Sequence, residues 1–558
     1  MRTYGNIKLT ECGTKWVITK AEPHVSIRIK QIFPKIAKAS VPPYWMSRSI
    51  ILDADLEWFM ERYPLEISDA DAASLRDGSQ KFRLQQAEME RILLPDYSPD
   101  MIKGLKPGQE IRLYQNQAIE ILRRRGALLL GDEGGLGKTY TAAGFMCAEP
   151  QALPAAVVCD PHMQSQWKEK IEAFTTLRVH VIKKTQPYDL PPADVYVFRI
   201  SQVHGWADIF ATGLFRSAIF DEPQSLRTGT ATNKGTACRA LSAAVSFRMG
   251  LTATPIYNYG DEMWNIMQFI DDGALGNWGE FTREWCTPMG GKWRISDPKA
   301  LGTYLREGHV MLRRVKADVG LQLPKVSRIV EQVEYDAKAV QAVEDLARTL
   351  AIRATTGSFV ERGNAARELD VMLRQVTGVS KAKQVALFVR LLVEAGETVV
   401  LWGWHRDVYE IWNKELHDLN PAMYTGSETA SQKEKEKRRF MDGETKILIM
   451  SLRSGAGIDD LQHVCSTGVF GELDWSPGIH QQCIWRLDRE GQEKPVMAFF
   501  LVTDDGSDPP MLDVLGIKAS EAAQIVDPYM GVQVVENDTS HLRRLVQRYL
   551  SQKQGELI

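Results

Sequence analysis

The sequence lacks several features that would place it outside ordinary globular enzymes. Its seven cysteines are scattered and form no C-x-x-C pair, so we expect neither a disulfide framework nor a structural zinc site. It contains no uncharged apolar run long enough to cross a membrane and begins with no apolar signal core, which predicts a cytoplasmic protein. A net charge of −3 argues against a simple cationic coat for nucleic acid.

The first hundred residues are divided by charge. Residues 1–50 carry nine basic and two acidic side chains, whereas residues 51–100 carry five basic and twelve acidic ones. Aromatic residues lie between the basic ones: Trp16, Phe33, Tyr44 and Trp45. Such a face could lie on a phosphate backbone. Alternatively, this is a small accessory domain whose two halves neutralise each other.

From about residue 110, short apolar runs alternate with helical patterns. This texture is typical of strands in parallel sheets that are covered by helices, and it returns after a charged helical region at 331–395. Two successive α/β sheets are therefore predicted. The predicted strands are 127–131, 155–160, 195–200, 217–222 and 247–255 in the first sheet, and 398–402, 446–450, 465–473 and 496–502 in the second.

A glycine-rich loop joins the first of these strands to a helix, in the run ALLLGDEGGLGKTYTAAGFM (127–146). Glycines such as Gly135 and Gly137 let backbone N–H groups curl around phosphates, and the following helix start favours negative charge. Lys138 could reach the β- and γ-phosphates and Thr139 could hold Mg²⁺. Asp132 occupies the position at which the strict G-x-x-x-x-G-K-[ST] pattern has its first glycine. The alternative is a glycine-rich turn that binds no phosphate.

Two adjacent carboxylates end a later strand, in SAIFDEPQ (217–224). Ligands bind at the carboxyl edge of parallel strands, where Asp221 could hold Mg²⁺ and Glu222 could act as general base for the attacking water. A surface turn is the alternative, since an Asp-Glu pair is common.

Ordered segments resemble the motifs of helicase superfamily two, and within it the Snf-type DNA translocases related to chromatin remodellers. In the first half, LYQNQAIEIL (113–122) resembles the Q-motif, GDEGGLGKT (131–139) motif I, VVCDPHMQSQWKEKI (157–171) motif Ia, DEPQ (221–224) motif II, and GLTATPIYN (250–258) motif III. MLRRVKADVGLQLPKV (311–326) is similar to the segment that leaves the first lobe. VVLWGWH (399–405), SLRSGAGID (451–459) and QQCIWRLDREGQ (481–492) resemble motifs IV, V and VI.

The resemblance implies an α/β protein with two tandem RecA-like lobes and a small α+β N-terminal accessory domain. Compact phage or prophage members are the most similar in size. The implied domains are an accessory, possibly DNA-substrate-binding, domain at 1–105, lobe 1 at 106–325, a helical linker at 326–390, lobe 2 at 391–505 and a C-terminal helical extension at 506–558.

The resemblance also implies an ATPase that moves on DNA, for branch migration, annealing or remodelling of protein–DNA complexes. ATP and Mg²⁺ are the expected cofactors, sequence-independent duplex or branched DNA the expected partner, and a monomer the expected state. An RNA-directed helicase and an ATP-gated DNA-binding scaffold are the alternatives.

The site residues carried over by the resemblance fall into three groups. The catalytic group is Lys138, Glu222, Arg486 and Arg489, with Arg489 as the arginine finger. The nucleotide group is Gln115, Gly135, Gly137, Lys138, Thr139, Asp221 and Gln482, of which Thr139 and Asp221 hold the metal. The nucleic-acid group is Pro161, His162, Ser201, Gln202, Thr425, Gly426, Ser454 and Gly455.

Departures from the family pattern affect three motifs. Pro223 and Gln224 replace the usual Ala-His, which puts the coupling of the ATP site to motifs III and VI in question. Asp459 replaces Asn in motif V, and Trp485 and Asp488 replace small and His residues in motif VI. Arg486 and Arg489 are three apart, on one face of a helical turn. The alternative is a surface helix on which Asp488 pairs with Arg489.

Overall fold

The computed structural model describes residues 2–33, 35–253, 260–289, 292–321, 323–356, 359–452 and 458–512. The chain divides into two compact units. The first contains Met1–Leu130 and Lys138–Leu312, and the second contains Gly131–Gly137 and the chain from Arg313 onward. Among the described residues, no helix is long and apolar enough to cross a membrane.

An α+β domain begins the first unit, as predicted. Its antiparallel sheet runs β1-β2-β3, with β1 Gly5–Leu9, β2 Lys15–Ala21 and β3 Tyr44–Ser47. Its helices are α1 Pro23–Ile32, α2 Ile50–Arg62 and α3 Asp69–Leu93. Trp16, Phe33 and Tyr44 are buried in its core, so the expectation that they form a nucleic-acid face is wrong. Only Trp45 of that set is exposed, because its neighbours on β3 alternate inward.

A seven-stranded parallel sheet forms the rest of the first unit, in the order β12-β4-β9-β8-β5-β7-β6. Its strands are β4 Ala127–Leu130, β5 Ala155–Cys159, β6 Val179–Val181, β7 Val195–Arg199, β8 Ser217–Asp221, β9 Phe247–Leu251 and β12 Met311–Leu312. Val157 and Val158 feed two different apolar clusters, so the sheet is buried on both faces. All five predicted strands are confirmed.

Helices and one hairpin complete the first unit. The helices are α4 Leu113–Arg125, α5 Lys138–Ala148, α6 Gln164–Phe174, α7 Ala207–Ala211, α8 Asn233–Ala244, α9 Gly260–Ile270, α10 Trp278–Trp285 and α11 Pro298–Glu307. The hairpin pairs β10 Cys286–Met289 with β11 Lys292–Ile295. Helix α5 begins immediately after the glycine-rich loop, at Lys138, as the phosphate-loop prediction requires.

A six-stranded parallel sheet forms the second unit, in the order β13-β18-β17-β14-β16-β15. Its strands are β13 Val326–Gln332, β14 Val399–Gly403, β15 Ala422–Tyr424, β16 Ile447–Ser451, β17 Thr467–Phe470 and β18 Val496–Val502. Its helices are α12 Ala337–Gln341, α13 Glu344–Thr356, α14 Phe359–Glu394, α15 Arg406–Glu415, α16 Ala430–Met441 and α17 Pro477–Ile484. Two parallel sheets with flanking helices confirm the predicted pair of RecA-like lobes.

The predicted helical linker at 326–390 needs one correction. Residues Val326–Gln332 are not helical but form the edge strand β13, which pairs in parallel with β18 over seven positions. None of the seven residues of VSRIVEQ is fully buried and two of them, Arg328 and Glu331, are charged, so the strand lacks the apolar run of a central strand. Most of the predicted C-terminal helical extension at 506–558 lies outside the described residues.

Candidate nucleotide site and nucleic-acid contacts

The backbone of the phosphate loop depends on its glycines. Gly135 and Gly137 adopt φ values of +93° and +72°, the left-handed region that side chains disfavour. A Cβ added to Gly134 would lie 2.4 Å from the Trp485 indole, and one on Gly135 would lie 3.2 Å from Cβ of Arg489. The loop Gly131–Gly137 therefore lies, within the second unit, directly beside the arginine-bearing segment of motif VI.

Buried ion pairs hold the same loop in place. Arg314 Nη2 and Nε donate to the two carboxylate oxygens of Asp132 at 2.5 and 3.0 Å, and both residues are buried. Lys316 Nζ donates to the Asp488 carboxylate at 2.6 Å and lies 3.8 Å from Glu133. Asp488 thus pairs with Lys316 and not with Arg489, so the alternative of an Asp488–Arg489 surface pair is wrong. Two-point pairing by Arg314 fixes Asp132 in orientation as well as position.

Asp221 and Glu222 lie together at the carboxyl end of β8, as predicted. Trp167 Nε1 donates to the Asp221 carboxylate at 2.8 Å. Burial, and then the charge of Glu222, raises the pKa of Asp221 to about 7. A buried carboxyl group whose ionisation is disfavoured beside a second carboxylate suits a divalent cation, because the cation would compensate the negative charge of Asp221. The donor set of Asp221 and the Thr139 hydroxyl suits Mg²⁺, which prefers oxygen ligands.

Glu222 is held in an unusual backbone conformation by a polar cluster. Its φ of +50° is rare for a residue with a side chain. Gln224 Nε2 donates to the Glu222 carboxylate at 2.6 Å and contacts Thr252 Oγ1 at 2.8 Å, while Thr252 Oγ1 donates to Glu222 at 2.9 Å. Gln224 therefore joins motif II to motif III, so glutamine can make this link in place of the usual histidine. Strain at such a position is characteristic of functional sites.

The two motif VI arginines converge on one carboxylate. Helix α17 ends at Ile484, so Arg486 and Arg489 follow it on turns, with the Asp488 amide still bonded to the Ile484 carbonyl. Arg486 Nη1 donates to Asp459 Oδ1 at 3.1 Å, and Arg489 Nη1 donates to the same oxygen. Asp459 is the motif V residue that departs from the family pattern, and its single negative charge is shared by the two guanidinium groups in this arrangement.

Two glutamines predicted to contact the nucleotide, Gln115 and Gln482, lie on different helices. Gln115 lies in the first turn of α4, where its Oε1 accepts from the Arg112 amide at 3.0 Å and caps the helix. Gln482 lies on α17 and is half-buried. Their roles toward a nucleotide stay predictions.

The predicted nucleic-acid contacts do not all reach the surface. Pro161, His162, Ser201 and Gly426 are exposed. Gln202 is 2% exposed and accepts from the Arg199 amide at 3.3 Å, and Thr425 is 1% exposed with its hydroxyl bonded to Glu428. The side chains of these two residues therefore support the local backbone and do not face solvent. Ser454 and Gly455 lie outside the described residues.

Three residues join the site without having been assigned a role from sequence. Trp167 bonds Asp221, Thr252 bonds Glu222, and Lys316 links Glu133 to Asp488. All three fall within segments that resemble family motifs. The sequence therefore located these residues but did not show which side chains they contact. A hydrogen-bond partner far along the chain carries no periodic signal in the sequence.

Comparisons with known proteins agree with these motifs. A model of the SNF2-related domain matches residues 55–378. A Caenorhabditis elegans SWI/SNF-related matrix-associated actin-dependent regulator of chromatin subfamily A-like protein 1 homolog is 24% identical over 75% of this chain and 62% of its own length. Human DNA annealing helicase and endonuclease ZRANB3 is 24% identical over 76% of this chain and 41% of its own. An uncharacterized ATP-dependent helicase, MG018, of Mycoplasma genitalium is 20% identical over 82% and 46%.

The chain thus spans about half the length of these curated relatives. The Sulfolobus solfataricus SWI2/SNF2 ATPase core, solved in complex with dsDNA, is 18% identical over 77% of this chain and 97% of its own, with a TM-score of 0.38. A TM-score of this size is not used to assign the fold, which is assigned from the two parallel sheets and their flanking helices. The resemblance to phage members stays a prediction. The matched domain covers more than half of the chain, which therefore belongs to the SNF2-related family of helicase superfamily two.

Proposed function

We propose that this protein is an ATP-dependent DNA translocase that remodels duplex or branched DNA, or protein–DNA complexes, without reading sequence. The observation that carries the proposal is the contact of the loop Gly131–Gly137 with Trp485 and Arg489. A phosphate loop beside a paired arginine suits a reaction in which charge develops on the terminal phosphoryl group. The DNA named for the annealing-helicase relative and for the archaeal core supports DNA as the substrate.

We propose a hydrolytic role for each of these side chains, and its position supports that role. Lys138, at the start of α5, neutralises phosphate charge together with the N–H groups of the loop. Glu222 accepts the proton of the attacking water, with its carboxylate held by Gln224 and Thr252. Thr139 and Asp221 would hold Mg²⁺, which supplies charge neutralisation at the phosphates when bound. Arg489, with Arg486 beside it, stabilises transition-state charge once it exchanges Asp459 for phosphate.

The test compares ATP hydrolysis with and without a panel of nucleic acids: duplex, single-stranded, forked and four-way DNA, and duplex RNA. We expect the wild type to be stimulated by DNA, and Glu222→Gln to hydrolyse at least a hundredfold more slowly with every substrate. Glu410→Gln, which removes an exposed carboxylate from α15, serves as the matched control and should behave as wild type.

Two outcomes would overturn the proposal. Stronger stimulation by RNA than by any DNA would identify an RNA-directed helicase. Tight ATP binding without turnover, with DNA present, would identify an ATP-gated scaffold.

A further inference from the structure

Two grooves flank helix α1 of the N-terminal domain and meet at Ile32. The first, of about 690 Å³, lies between α1 and the end of α2 and is lined by Arg28, Trp58, Arg62 and Tyr63. The second, of about 730 Å³, lies on the other side of α1, where Lys30, Lys38 and Arg283 line it. We call the surface formed by Arg28, Ile32, Trp58 and Arg62 the α1–α2 face.

The lining of these grooves is basic although the chain as a whole is acidic. Two acidic residues, Glu61 and Glu284, accompany five basic ones, in a protein of net charge −3. Among the described residues, none of these five bases forms an ion pair with a carboxylate, whereas Arg48 and Arg83 of the same domain do. Arg28 bonds the Gln31 amide, and Lys30 bonds two backbone carbonyls. The five bases are Arg28, Lys30, Lys38, Arg62 and Arg283.

An exposed tryptophan, Trp58, lines the first groove together with Arg28 and Arg62. Trp58 is 60% exposed, although large aromatic residues are mostly buried in folded proteins. It precedes Arg62 by one helical turn, and Arg28 precedes Ile32 by the same spacing, so each helix places one cation and one apolar side chain toward the groove. Flat aromatic surface beside unpaired guanidinium groups suits a stacked base with its flanking phosphates.

We propose that the α1–α2 face binds an unpaired segment of DNA. A base stacks on the Trp58 indole, and the neighbouring phosphates lie against Arg28 and Arg62. In a duplex the bases are stacked on each other and cannot lie on an indole, so the face distinguishes unpaired from paired DNA. This inference rests on the proposed function, because it names which part of a branched DNA the enzyme recognises.

The test uses the full chain without nucleotide and measures anisotropy of a fluorescent single-stranded oligothymidine and of a blunt duplex. We expect Trp58→Ala to weaken single-strand binding roughly tenfold, as loss of one stacked base does elsewhere, and to change duplex binding less than twofold. Trp45→Ala is the matched control, because Trp45 is 58% exposed in the same domain but lines neither groove. It should bind both DNAs as wild type does.

Salt dependence tests the phosphate contacts separately. Arg28→Ala and Arg62→Ala should each lower the slope of log affinity against log salt for the single strand by about 0.7. Lys81→Ala, which removes an exposed cation already paired with Asp77, should leave the slope unchanged. Thermal melting of each variant verifies that the domain remains folded.

Equal single-strand binding by Trp58→Ala and wild type, both folded, would overturn the proposal and leave the face to a protein partner. An equal loss for duplex and single strand would also overturn it. Glu222→Gln separates the two proposals: it should lack hydrolysis yet bind the oligothymidine with the same dependence on Trp58. If no nucleic acid stimulates ATP hydrolysis but the Trp58 effect remains, the proposed function fails and this inference stands.

Discussion

Asp459 determines where the positive charge of motif VI lies. One of its carboxylate oxygens accepts from Nη1 of both Arg486 and Arg489, so the positive charge of both guanidinium groups is drawn toward this carboxylate. A carboxylate is a stronger acceptor than an amide oxygen, by about 1 kcal/mol for a hydrogen bond to a charged donor. A single residue can therefore set how readily the arginines leave their resting partner.

We predict that Asp459→Asn raises ATP hydrolysis in the absence of DNA about fivefold. The amide oxygen of asparagine would bind the two arginines about 1 kcal/mol less strongly than the carboxylate does, and that difference corresponds to a factor of about five. Steady-state phosphate release measures the rate. Asp460→Asn is the control, since Asp460 is adjacent but exposed and pairs with Lys437. A rate that falls to the level of Arg489→Ala would instead mean that the carboxylate orients the arginines productively.

Close packing of whole elements depends on small residues and neutral groups at their contacts. In the N-terminal domain, α3 approaches α2 at Gly78, where an added Cβ would lie 1.8 Å from Asp53 Oδ2. Asp53 cannot move aside, because Trp16 Nε1 and Arg48 Nε both donate to it at 2.5 and 3.1 Å. In the second unit, His480 on α17 is buried, and its packing requires an uncharged imidazole ring.

We predict that Gly78→Ala destabilises the protein by about 1–3 kcal/mol, the usual cost of overpacking, despite the better helix propensity of alanine. Urea denaturation followed by circular dichroism measures the change. Gly363→Ala on α14 is the control: its Cβ would meet only Arg367 Nη2, at 3.8 Å, so it should stabilise slightly. Equal effects of the two substitutions would contradict the close α2–α3 contact.

We predict that acid destabilises the second unit through His480. Its Nε2 accepts from the Asp474 amide and its Nδ1 lies 3.1 Å from the Ser476 carbonyl, an arrangement for neutral imidazole. Burial lowers the pKa of His480 from 6.5 to about 4. As the pH falls below 6.5, the unfolded chain takes up this proton first, so stability is lost between about pH 6.5 and 4.

The loss at pH 5 should be about 2 kcal/mol. Urea denaturation at pH 7 and pH 5 measures it as a difference between variants: on going from pH 7 to pH 5, His480→Gln should lose about 2 kcal/mol less stability than the wild type. His417→Gln, at an exposed position, should lose as much as the wild type. An unchanged pH dependence in His480→Gln would show that other groups are responsible.

At the scale of the whole molecule, the sequence was most informative about buried strands and the motifs that follow them. Runs such as AAVVC and ILIM are apolar at every position because parallel sheets are covered on both faces, and all nine predicted strands occur. Edge strands such as β13 and β15 were missed because solvent on one side weakens their pattern.

The site was predictable in its residues but not in its pairings. The predicted strands placed Lys138, after β4, and Asp221 and Glu222, at the end of β8, at the same edge of the first sheet, in which β9 separates β4 from β8. The family resemblance pointed to position 224 as the link to motif III, but not to the hydrogen bonds of Gln224 with Glu222 and Thr252, since these depend on side-chain reach across 28 residues of chain. The aromatic residues of the N-terminal domain were misinterpreted. Composition suggested that they form a nucleic-acid-binding surface, but Trp16, Phe33 and Tyr44 pack into the core of the domain.

The central claim is that hydrolysis requires the motif VI arginine beside the phosphate loop. Single-turnover ATP hydrolysis with saturating duplex DNA, alongside equilibrium binding of a fluorescent ATP analogue, tests it in Arg489→Ala, with Lys138→Ala for comparison. Arg489→Ala should bind the analogue within about threefold of wild type and hydrolyse roughly a thousandfold more slowly, whereas Lys138→Ala should lose both. Hydrolysis by Arg489→Ala at the wild-type rate would contradict the account.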